Sequence, residues 1–142
     1  MKVYRFVEKE ELKLFLEKST GEIGGLFSNQ NSNTFKYKKG VKYLHFFKKK
    51  EDCRYAYDLN KKNAENKKFY IATFDIPVKI LIKNFGFGYY NKLNVDKLSG
   101  YEVYSEIFKR MEFAIPMNEF KPEWLIDYVD YKQYAQENNF EM

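Results

Sequence analysis

Lys38–Phe47, KKGVKYLHFF, is the stretch that decides how this chain folds, because it is the most strand-like run and carries the only histidine. At the repeat of an extended chain, Val41, Tyr43, His45 and Phe47 fall on one face and Lys42, Leu44 and Phe46 on the other. Both faces are mostly apolar or aromatic, which predicts a central strand buried on both sides. Gly40 marks a turn before it, and Lys48 to Lys50 mark the return of the chain to water. A histidine in such a strand is either packed in the core or turned toward a ligand, and the run by itself leaves both readings open.

Working outward, Lys2 to Val7 reads as a first strand with Val3, Arg5 and Val7 on one face and Tyr4 and Phe6 on the other. Arg5 shares its face with two valines, so its guanidinium either snorkels from a strand end or points into a polar cleft. Glu8 to Lys18 follows as a helix with Leu12, Phe15 and Leu16 as its apolar stripe. Ser19 to Thr34 is rich in Gly, Ser and Asn and too long for a plain connector. Beyond the histidine strand, Glu51 to Lys62 has helical spacing and makes Cys53 a buried apolar residue. Phe69 to Ile76 alternates as a strand, and Pro77 opens a short helix with Val78, Leu81 and Ile82 turned inward. Asn84 to Gly100 is a second loop rich in glycine and aromatics, and Tyr101 to Phe108 fits helix and strand equally. Met111 to Pro116, MEFAIP, is a strand with Glu112 among apolar neighbours. Pro122 opens a helical turn, Leu125 to Tyr131 forms a last strand, and the end from Gln133 reads as a frayed tail. The expectation is a single domain over 1–132 with a tail over 133–142.

Composition narrows the function classes. The 142 residues are enough to bury a core without staples, and 13 tyrosines with 14 phenylalanines exceed what an interior needs, so exposed aromatics are expected. The 25 basic against 20 acidic residues leave +5, a mild balance that suits an anionic partner and many ordinary proteins alike. Tyr37, Lys38, Lys39, Lys42 and Lys48 to Lys50 form the one candidate patch for nucleic acid. A single cysteine and a single histidine argue against a disulfide and against the common zinc sites. The N-terminal run MKVYRFVEKEELK is interrupted by charges and does not read as a signal peptide, and no apolar stretch nears the length of a membrane span. A cytoplasmic protein with no membrane contact is expected.

Three strands thus each carry one residue foreign to a core: Arg5, His45 and Glu112. Burying a charge alone is costly, so these groups should meet one another or a ligand. Their order resembles the ADP-ribosyltransferase superfamily, and within it the DarT-like toxins that modify DNA. The residues carrying the resemblance are Tyr4 and Arg5 in VYRFV, the aromatic strand GVKYLHFFKKK, and RMEFAIPMNEFKPEWLIDY with its glutamate, apolar triplet and proline. Where that family has an Arg-Ser-Pro-Met-like stretch, this chain has KKKEDCR.

The resemblance implies an α+β fold of two packed sheets with a central NAD cleft and flanking helices. It makes Glu112 the catalytic carboxylate that offsets the positive charge left on the ribose as nicotinamide departs, and Arg5 the NAD anchor in the same cleft. Tyr43 and Phe46 would stack the nicotinamide, Ser28 to Thr34 would bind ribose or phosphates, and His45 is a further cofactor-binding candidate. On this reading the chain transfers ADP-ribose from NAD to a macromolecular acceptor, DNA, RNA or protein. The competing reading is a catalytically inert, phage- or prophage-type binding protein on the same fold that antagonises a host factor. The two part on Arg5 and Glu112: side chains on opposite surfaces would remove the enzyme reading.

Overall fold

The structure, a computed structural model, describes residues 1–18, 42–60, 67–83 and 112–140. Its frame is a pair of seven-residue strands, β1 (Lys2–Glu8) and β3 (Phe69–Asp75), antiparallel along their whole length from Lys2 opposite Asp75 to Glu8 opposite Phe69. β5 (Leu125–Asp130) lies on the far side of β3, and β2 (Tyr43–Phe47) joins β1. β4 (Glu112–Pro116) pairs with every residue of β2, from Tyr43 opposite Pro116 to Phe47 opposite Glu112. The result is one five-stranded antiparallel sheet in the order β4-β2-β1-β3-β5, in an α+β arrangement. The central strand is therefore β1, and KKGVKYLHFF supplies its neighbour. Apolar residues on both sides of a strand report that both sheet faces are covered; they do not report how many strands lie to either side.

The strands alternate and so build two cores. On one face Val3, Val7, Leu44, Phe46, Ala72, Phe74, Phe113 and Ile115 pack with Leu12 and Phe15 of helix α1 (Lys9–Leu16) and with Phe120. Phe15 and Phe46 both meet Phe74 edge-on, at ring separations of 5.2 and 5.3 Å. On the other face Phe6, Phe69 and Ile71 pack with Cys53 of α2 (Cys53–Leu59) and with Tyr131, Tyr134 and Ala135 of α4 (Tyr131–Glu137). Phe6 stacks on Phe69 at 4.6 Å and meets Tyr131 edge-on at 5.5 Å. Pro77 opens α3 (Val78–Lys83), which buries Leu81 in the first core.

Three expectations change here: the described strands form one sheet where the resemblance implies two. Leu16 is half exposed, and the inward stripe of α1 is Glu11, Leu12 and Phe15. The helix leaves β1 directly at Glu8, and that exit sets its rotation. The chain end, expected to fray from Gln133, is helix α4: the Asp130 side chain accepts a hydrogen bond from the Gln133 N–H at 3.1 Å and caps it, while Tyr134 and Ala135 are buried. Exposed aromatics do occur, Tyr55 and Tyr128 among them. The loops over 19–34 and 84–100 and the ambiguous segment 101–108 lie outside the described residues.

Candidate functional site

Strand alternation sorts the candidate residues between the two faces. Val3 and Val7 belong to the first core, so Arg5, between them, points to the same side. There its Nε donates to Glu11 Oε1 at 2.6 Å, with Arg5 3% and Glu11 1% exposed. A second arm, Nη1, donates to the main-chain carbonyl of His45 at 2.9 Å. Arg5 therefore does not snorkel to solvent; among the described residues it is half of a buried ion pair beneath α1.

Phe113 and Ile115 of β4 belong to that same first core, which turns Glu112 to the opposite face. His45 lies there too, because Leu44 and Phe46 on either side of it are in the first core. In the register Phe47 stands opposite Glu112 and His45 opposite Ala114, so His45 and Glu112 are diagonal neighbours on one face. His45 Nδ1 and Glu112 Oε1 are 3.1 Å apart, the imidazole 11% and the carboxylate 29% exposed. A carboxylate on one ring nitrogen fixes the tautomer and the plane of a histidine, and such a pair can hold or pass a proton.

Of the residues expected to form one NAD site, the structure thus joins His45 to Glu112 and sends Arg5 to the far face. Tyr43 lies on the face of His45 but is fully buried, and Phe46 is fully buried in the first core between Phe74 and Phe120. Neither presents a surface on which a nicotinamide ring would stack. Ser28 and Thr34 fall outside the described residues.

Sequence reading missed Glu11 altogether. It sits in the acidic first turn of α1, where a glutamate is favoured by the helix dipole and so attracts no notice. The signal that points to it is Arg5 itself: a guanidinium on a valine face requires a carboxylate, and of the nearest acids Glu8 alternates to the opposite face, which leaves Glu10 and Glu11 opening α1.

Cys53 is fully buried in the second core. Burial, then the charge of Asp52, pushes its thiol far above the ordinary value, with Lys50 and Arg5 opposing. Its burial in the core is that of a packing residue, and these surroundings disfavour the thiolate. Asp52 itself is raised by burial and by Glu51, and its Oδ2 is buried without a hydrogen-bond partner among the described residues. In the basic patch Lys42 and Lys49 are exposed and Lys48 and Lys50 half-buried, with Lys50 Nζ 5.2 Å from the centre of the Tyr134 ring; Tyr37, Lys38 and Lys39 fall outside the described residues. Among the described residues no cluster of His, Cys, Asp and Glu is arranged to hold a metal ion, and no helix is long and apolar enough to cross a membrane. No protein family, no curated protein and no solved structure matches this chain.

Proposed function

We propose that this chain is a binding protein that does not turn over NAD, and that it engages a macromolecular partner with the sheet face carrying His45 and Glu112. The observation that carries this reading is the burial of Arg5 against Glu11 on the face opposite Glu112. An ADP-ribosyl transfer of the kind the sequence resembles needs its cation on the dinucleotide and its carboxylate on the departing ribose at once. A guanidinium locked under α1 serves neither task. The partly buried His45–Glu112 pair, with the Glu112 carboxylate the more accessible member, lies in an otherwise apolar pair of strands and offers a polar contact to a partner.

A second reading, a transferase that does not use Arg5, is favoured by one contact, the 3.1 Å pairing of His45 with Glu112. In it Glu112 stabilises the oxocarbenium-like ribose and His45 takes the place proposed for Arg5 beside it. Incubation of the protein with NAD labelled in its ADP-ribose, in the presence of DNA, RNA and protein acceptors, separates the two. The binding reading expects no label on any acceptor. Label that disappears in Glu112→Gln, in a variant that still folds, establishes the transferase instead; a loss of about 100-fold is the scale for removing one preorganised stabilising group.

A further inference from the structure

We infer that Arg5 and Glu11 act as a strut through the sheet that orients His45 against Glu112 from the opposite face. The inference rests on the reading of the His45–Glu112 face as the working one, and begins from an asymmetry in the sheet. β1 is joined to β3 by seven register pairs and β2 to β4 by five, but β1 meets β2 at the single pair Tyr4 and Phe47. The strand pair holding both members of the polar site is thus attached to the rest of the sheet by a short ladder. Continued, that ladder would put Phe6 opposite His45. There the Arg5 guanidinium reaches the His45 carbonyl at 2.9 Å and adds a side-chain tie between β1 and β2.

The other end of the strut is held firmly. Arg5 Nε sits 2.6 Å from Glu11 Oε1, and both side chains are all but inaccessible. A charge-assisted bond in such surroundings is short and directional. Held through Nε by one carboxylate oxygen, the planar guanidinium carries its other nitrogens with it, so the position of the His45 carbonyl follows from the seating of α1 on β1. The imidazole leaves the same residue on the far face, where a displacement of the β2 backbone changes the 3.1 Å approach to Glu112. Burial of an ion pair is weak support for stability as such, since a well-packed apolar pair commonly does as well. A positioning role accounts for a charge pair at a place where packing alone would favour a third aliphatic residue beside Val3 and Val7.

His45 is the only histidine, so its ring nitrogens and attached proton are read in a nitrogen-15 correlation spectrum without assignment by mutation. Three proteins are compared with wild type under conditions where thermal melts show each folded. Arg5→Met with Glu11→Leu removes both charges and leaves the site packed; Arg5→Lys keeps a charge opposite Glu11 but offers one ammonium where two separated nitrogens are needed. Glu112→Gln reports the imidazole without its carboxylate. The strut predicts that wild type holds one tautomer with its proton on Nδ1, and that both Arg5 variants move the ring signals toward those of Glu112→Gln. Wild-type ring signals in both folded Arg5 variants overturn the proposal and leave Arg5 as packing. Should the Arg5 variants not fold, Glu11→Gln carries the test, with the same direction of change expected and unchanged signals overturning it. The spectra need neither NAD nor a partner, so they stand or fall apart from the binding reading.

Discussion

At the scale of single residues, the fold rests on how a few ionisable groups are held inside it. Asp52 is the clearest liability. Burial and the adjacent Glu51 raise its pKa above the ordinary value of 3.8, with only Lys49 opposing. The folded state therefore keeps the Asp52 proton to a higher pH than the unfolded chain does, and stability contributed by this group is present at low pH and lost as pH rises through that window. Asp52→Asn, which never ionises, should raise the melting temperature at neutral pH, with the gain shrinking as pH falls through the raised pKa and absent below 3.8; an equal gain at every pH would mean that charge is not the cause. Arg5, His45 and Glu112 were legible in the sequence as three polar residues on apolar strands, and the rule that buried charges find partners was sound. Which partners they find was not legible. Alternation places Arg5 with Val3 and Val7 on one face, but the faces of two strands can be related only once their register is known, and that register is set by contacts distant in the chain.

At the scale of elements, the strands and their order along the chain were readable because alternation is a strong signal: β1, β3 and β4 begin and end within a residue or two of where their patterns do. α4 was not, since its polar, asparagine-bounded sequence resembles a loose end and its apolar residues are only Tyr131, Tyr134 and Ala135. Their spacing, one turn of a helix behind a capping Asp130, was the signal available. Tyr134→Ala should lower stability by about 3 kcal/mol in a denaturant melt, the scale for emptying a buried aromatic site; a change within about 0.5 kcal/mol would fit a frayed tail. The outer strand β5 carries its own protection. Its register jumps from Asp127 opposite Thr73 to Leu125 opposite Phe74, which leaves Ile126 as a bulge, and the Asp127 carboxylate accepts the Tyr128 N–H at 2.8 Å. Bulges and charges of this kind keep an edge from recruiting another strand. Asp127→Val removes the charge and frees that N–H beside the exposed Ile126 and Tyr128. Sedimentation should then show self-association rising with concentration beyond wild type, and an unchanged profile would assign the protection to the bulge alone.

At the scale of the whole molecule, one sheet separates two chemistries. On the α1 side a buried ion pair lies within an aromatic and aliphatic core; on the α2 and α4 side the sheet carries a second core and, over β2 and β4, the partly buried pair of His45 and Glu112. The α+β class and the antiparallel strands follow from local pattern, whereas the division of Arg5 from Glu112 follows only from the assembled sheet. That division is what turns the functional reading from transferase to binding protein. Calorimetric titration of the folded wild-type protein with NAD addresses it most directly, run beside Glu112→Gln and Arg5→Lys. With Arg5 committed to Glu11, no saturable heat is predicted from any of the three. Saturable NAD binding by wild type that weakens about ten- to a hundredfold in Arg5→Lys, the scale of one charge-assisted contact, would contradict the account and return Arg5 to the role of cofactor anchor.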